Sequence, residues 1–370
     1  MRIPALLLLF LCLGSFAQEI KLRPLADTVG FAHTKAQMDS VMRRIMRTQE
    51  KKLRNVRLKA GVGLETEFKT VISPHDDYTY TGYMYPLALQ NVHAKTVIVF
   101  GVAHKAQSLG LEDKLIFDSY THWSGPYGNV KVSSMREDIM AWMPKVIDSI
   151  ATYEVNDTMQ KIEHSVEAEI PFLQHYSKKT FNRELEIVPI LIPPMNYKRM
   201  EQLAGPLAKA IAMVMQKKKL KWGYDVAIVI SADAVHYGDQ DWGGKDFAFY
   251  GPDSTGYKKA VKHEYEIMNT CFEGSLKEEN IFKFTRYTVK ETDHKEYAWT
   301  WCGRYSVPFG LYTSYHLANI LQLKKPIAGK ILGYETSLSN KHIPVSDLGL
   351  GVTAPAKLRH WVGYPAIGFK

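Results

Sequence analysis

The chain has 370 residues, 46% of them hydrophobic and 23% charged, and a formal net charge of +9. These proportions are those of an ordinary globular protein and exclude a disordered polymer, and the length allows a large core without disulfide support. Three cysteines are too few for a disulfide framework.

The chain opens MRIPALLLLFLCLGSFAQ: Arg2, an apolar run from Ala5 to Leu13, then small residues at Ser15 and Ala17. This pattern predicts a secretory signal over residues 1–17, cleaved after Ala17, and a soluble product that is periplasmic or secreted. The run is too short to span a bilayer, and Cys12 follows Leu11 rather than the small residue of a lipoprotein site. Cleavage would remove Arg2, taking the charge from +9 to +8, and would leave Cys271 and Cys302. An oxidising compartment would permit one bridge between them.

Residues 32–55 place Met38, Val41, Met42, Ile45 and Met46 at helical spacing. Apolar β-type runs follow at 69–74, 95–101, 185–193 and 225–231, with further strand expected at 326–337 and 347–354. Helical patterns occupy 133–150, 165–177, 197–217, 255–271 and 305–322. The alternation predicts one α/β domain over residues 18–370, with a central mixed, mostly parallel sheet flanked by helices. Lys217, Lys218, Lys219 and Lys221 form a dense basic cluster that reads as a solvated helix end. No aromatic or Gly-rich motif points to nucleic acid, and no later stretch predicts stable membrane insertion.

Three strands finish alike. TVISP runs into His75-Asp76-Asp77, TVIVFGVA into His104, and AIVIS into ADAVH with Asp233 and His236. Ligands of open α/β sheets sit beyond the carboxyl ends of the strands, so three segments are expected to deliver His and Asp to one edge. Imidazole and carboxylate are the usual ligands of iron, copper and zinc. EYAWTWCGR adds Cys302 and Arg304: a buried thiol, a bridged one, or a thiolate near a helix start. IEHSVEAEIPFLQHY places His164, Glu167 and Glu169 at a helix start, either as a cap or as groups that orient a ligand.

The blocks ISPHDDYTYTG, FGVAH, EHSVEAEIPFLQ, VISADAVHYG and WCGR, in this order and approximate spacing, resemble the Memo family (AmmeMemoRadiSam system protein B) from about Arg23 to the C-terminal strands. That family is similar in fold to the class III extradiol dioxygenases, the LigB-like type. The resemblance implies a non-haem metal site in which His75, His104 and Cys302 are ligands and Asp233 and His236 are the neighbouring acid and histidine. Extradiol enzymes hold Fe(II) by two His and a carboxylate; a thiolate in third place is softer and would favour Cu(I) or stabilise oxidised iron. Vertebrate relatives are associated with copper or iron and with peptide partners. This sequence departs in carrying Asp76-Asp77 where the family usually has Ala-Gly, and in its export signal; familiar members are cytosolic.

The leading expectation is a metal-dependent, dioxygenase-like oxidoreductase holding one Fe or Cu ion and acting on a small organic molecule or peptide. His236 would be the general acid/base, and Asp233 would orient it or complete the coordination shell. Asp76, Asp77, His164, Glu167 and Arg304 would surround the centre, with Tyr78, Tyr80, Trp299 and Trp301 as candidate walls. The alternatives are a zinc hydrolase with an Asp as base, a Cys302 nucleophile paired with His236, and a non-catalytic peptide- or metal-binding protein.

Overall fold

In the computed structural model, residues 19–370 are described; the expected signal and its cleavage site after Ala17 lie outside them. Four apolar runs form a parallel core: β1 (Thr70–Ser73), β2 (Thr96–Val102), β3 (Glu186–Ile192) and β4 (Val226–Ser231). They lie in the order β3-β2-β4-β1. Two long strands, β5 (Ala328–Thr336) and β6 (Trp361–Phe369), extend the sheet antiparallel beyond β1. The sheet is mixed and mostly parallel at its centre, as the sequence predicts.

Alternate residues of each strand feed two cores. Ile72, Ile98, Phe100, Val188, Ile190, Ile228 and Ile230 pack on one face; Val71, Val97, Val99, Ile187, Leu191 and Val229 pack on the other. Burial on both faces explains why these strands read as continuous apolar runs. The second face is covered by α1 (Lys35–Ala60), α2 (Met84–Leu89) and α3 (Ile170–Lys179). The first is covered by α4 (Tyr197–Lys218), α5 (Ser254–Cys271), α6 (Glu278–Thr288) and α7 (Ser306–Ile320). Helix α1 starts at a capping box between Thr34 and Gln37 and stops at Gly61, whose φ of 64° suits glycine. The lysine cluster ends α4, where cations face the negative end of the helix dipole.

Two expectations are corrected. Residues 133–150 are not one helix: Met135–Trp142 is helical, and Val146–Ile147 pairs with Ile150–Ala151 across Asp148 and Ser149, both with positive φ. Residues 347–354 are not a strand; after a short 3-10 turn at Ser346–Leu348, Gly349 turns left-handed and the chain runs as a loop. The strand is instead β6. Its Pro365 argues against a strand in sequence; it pairs with Tyr334 of β5 but stands two residues before Ile367, where the rungs with β1 begin, so no donor is lost from the ladder with β1. No helix among the described residues is long and apolar enough to cross a membrane.

Candidate metal centre

The sheet register places the first pair. Ser231 of β4 lies beside Ser73 of β1, so Asp233 and His75, each two residues further on, meet at the carboxyl edge. The His75 N–H donates to Asp233 Oδ1 at 2.9 Å. His75 Nδ1 lies 2.9 Å from Ser231 Oγ, and that hydroxyl spends its proton on the Ser165 carbonyl at 2.6 Å. Ser231 therefore accepts from Nδ1–H, and the His75 Nε2 lone pair is left facing the cleft.

His104 follows β2 and is fixed from behind by Glu163. The carboxylate accepts from His104 Nδ1 and N–H, both at 2.9 Å, and from the N–H groups of His164 and Ser165. Burial alone would raise the Glu163 pKa, but His104 and these donors hold it well below its usual range. Burial alone would likewise lower His104; Glu163 and Cys302 outweigh it and push its pKa well up. The approach of residues 165–166 to β2 requires Gly101, since a Cβ there would meet Val166 at 2.6 Å and Ser165 at 2.7 Å.

Cys302 arrives from the opposite layer. The Trp299 and Trp301 indoles both donate to the buried Glu264, which also accepts, more weakly, from the Val235 N–H. Gly303 then passes so close to β4 that a Cβ would lie 2.3 Å from Ala232 Cβ. The Cys302 sulfur lies 3.0 Å from His104 Nε2 and 3.3 Å from His75 Nε2. Burial pushes its thiol pKa up against the pull of His104. Cys302 and Cys271 are both free, so the optional bridge is not formed. His164 stacks on His104 at 5.0 Å, and one donor atom each of His75, His104 and His164 lies within 4.8 Å of the others.

The remaining expected residues divide. Asp233 and His236 line the same cleft of about 530 Å³, together with Asp76, Asp77, Phe31 and Trp242. His236 Nε2 is buried without a partner, and burial followed by the charge of His104 lowers its pKa to about 3. Asp233 is pushed well up by burial and then by Asp76. The Asp76 carboxylate accepts from Tyr364 Oη at 2.6 Å. Asp77 accepts from the Thr353 N–H at 2.6 Å and from its hydroxyl. Glu167 serves the N-terminal segment through Arg23 and the N–H groups of Ala26 and Asp27. Arg304 lies over the Tyr297 and Tyr305 rings. Tyr78, Trp299 and Trp301 are core, and Tyr80 ties to the Ala354 carbonyl. Glu163, Ser231, Phe31 and Trp242 were not expected; only the adjacency of Glu163 to His164 offered a signal.

A histidine- and carboxylate-lined cleft at the carboxyl edge of a mostly parallel sheet defines a class: an α/β protein with a candidate metal-binding centre. The family follows from comparison. A model of the Memo-like protein family matches residues 40–349, and the chain belongs to that family. It is similar to MEMO1 family proteins of Pyrococcus abyssi (26% identical over 171 residues, 45% of this chain and 52% of the relative) and Saccharolobus islandicus (30% over 170 residues, with the same shares). A MEMO1 family protein of Sulfurisphaera tokodaii is 29% identical over 171 residues, again 45% and 52%. The chain thus spans about half the length of the curated relatives it matches.

Proposed function

We propose that the centre holds one iron or copper ion on His75, His104 and Cys302 and serves a redox reaction on a small organic molecule or peptide. The observation that carries this is the convergence of two imidazole Nε2 atoms on one sulfur, at 3.3 and 3.0 Å, with both outer nitrogens already bonded. Imidazole with thiolate is a donor set for copper and iron. A bound ion would supply one-electron chemistry. The chain's part is to position and to accept hydrogen bonds. His236 is neutral at ordinary pH because burial holds its pKa near 3, so its free Nε2 can accept a hydrogen bond from a bound molecule. Asp233 fixes the His75 backbone, and Phe31 and Trp242 supply apolar walls.

A second reading rests on the three-histidine group. His75, His104 and His164 would suit zinc with an open position and a hydrolytic role. Cys302→Ser separates the two. On the redox reading it lowers iron or copper retention and removes the sulfur charge-transfer band. On the zinc reading metal content and hydrolysis persist. Unchanged iron or copper content and spectrum in Cys302→Ser would end the thiolate reading. We also propose export with cleavage after Ala17; N-terminal sequencing of protein from outside the cytoplasm should begin at Gln18, and an intact Met1 would contradict it.

A further inference from the structure

Helix α1 carries nine Lys and Arg against two acidic residues, in a chain whose net charge is +9. Part of that charge is used inside the fold: Arg44 pairs with Asp347, and Lys52 with Glu335. Arg43, Arg47, Lys51 and Arg54 are exposed, and none forms an ion pair among the described residues. The Arg43 guanidinium reaches only the Ser40 hydroxyl and the Asp39 carbonyl of its own helix. At 100° per residue these four side chains fall within an arc of about 80° along about 17 Å of helix. Glu50 is the one carboxylate among them.

Two further features single out this face. At its N-terminal end, Ser40, Arg43, Arg44, Arg47, Pro344 and Asp347 line a groove of about 630 Å³. At its C-terminal end, Leu58 falls in the same arc and is 71% exposed, and Leu64, just past the helix, is equally exposed. A groove roomy enough for a phosphate headgroup, with free guanidinium groups, a cationic stripe and protruding leucines match an anionic bilayer surface in order: headgroup, surface charge, acyl boundary. A soluble polyanion would use the charge and leave the leucines in water.

We propose that α1 is a peripheral docking face for anionic lipid, with headgroup phosphate at Arg43 and Arg47 and with Leu58 and Leu64 entering the interface. The metal reading neither supports nor requires this. The test is co-sedimentation of the full chain with phosphatidylglycerol/phosphatidylcholine vesicles and with neutral phosphatidylcholine vesicles. Attraction by the first residues, which carry Arg2 beside their apolar run, would survive Arg43→Glu/Arg47→Glu. The expected result is binding to the anionic vesicles alone, weakened by salt, and reduced on the order of tenfold or more by Arg43→Glu/Arg47→Glu. Leu58→Ser/Leu64→Ser should reduce it severalfold at fixed salt. Lys51→Glu/Arg54→Glu serves if the first pair fails to fold. Equal binding to both vesicles, no binding to either, or an equal loss in Lys217→Glu/Lys218→Glu would overturn the proposal. So would displacement by inorganic phosphate or heparin with the leucine variant unaffected, which would identify a soluble anion.

Discussion

Glu163 shows what one residue contributes to the centre. Its carboxylate holds His104 by two bonds while two backbone N–H groups hold the carboxylate. Such an outer partner fixes the tautomer and orientation of a metal-ligating histidine. Glu163→Gln keeps the shape and loses the charge, so metal affinity should fall about 10- to 100-fold with the fold retained. Competition with a chelator measures it, and unchanged affinity would mean that His104 is not a ligand. Cys271 is the control: its thiol lies in the core, raised to about 12 by burial, and Cys271→Ser should leave metal content alone. Glu264, which holds the indole next to Cys302, gives a pH test of its own. Burial raises its pKa from 4.5 to about 7, although two indoles donate to it. Between those values the folded protein keeps a proton that the unfolded chain releases. The stability it contributes is therefore full below pH 4.5 and is lost as pH rises through 7, by about 3 kcal/mol. Glu264→Gln does not titrate, so urea melts should show it gaining on the parent by that order between pH 4.5 and 8. A constant difference would show that Glu264 titrates normally.

At the scale of elements, the end of β1 holds one side of the cleft closed. Asp77 accepts two groups of Thr353, and the Gly351 N–H donates to the Val29 carbonyl. The loop 349–356 is thus tied both to the departure Asp76-Asp77 and to the N-terminal segment. Asp77→Ala should leave the exposed Thr353 donors to water, cost about 0.5–1.5 kcal/mol, and speed amide exchange at Thr353 and Gly351. Unchanged exchange at both would show that the loop is held by other contacts. This loop also marks what the sequence concealed. The strand ends carrying His75, His104 and Asp233 were legible because β-branched runs buried on both faces stop abruptly at polar residues. Helices α4, α5 and α7 were legible from apolar spacing. Residues 347–354 and β6 were not, because Gly349 and Pro365 act through left-handed backbone and a ladder end, which composition does not record. Nor could spacing show that Asp77 turns to Thr353 while Glu163, rather than Glu167, supports His104; that choice is made by contacts between segments distant in sequence.

At the scale of the molecule, the cleft is completed by the start of the described chain. Leu22–Arg23 pairs with His122–Trp123 at the far end of the sheet, and the next residues return to line the cleft at Asp27 and Phe31. Arg23 anchors this strap. It is 1% exposed, bound to Glu167 and to the Gln160 and Glu163 carbonyls, and stacked 4.3 Å above Trp123. Burial lowers its pKa to about 10, against the pull of Glu163. Cleavage after Ala17 would keep the anchor; cleavage past Arg23 would remove it and strand Glu167. The consequence can be tested without truncation. Arg23→Met removes one charge of a buried pair and leaves the other uncompensated, which costs about 3–5 kcal/mol. Arg23→Met/Glu167→Leu removes both, although the Ala26 and Asp27 N–H groups then lose their acceptor. Replacing both charges of a buried pair is often near neutral, so the double variant should recover part of the loss in urea denaturation. Equal losses in the two variants would show that Arg23 acts through its stacking on Trp123 rather than through the charge of Glu167.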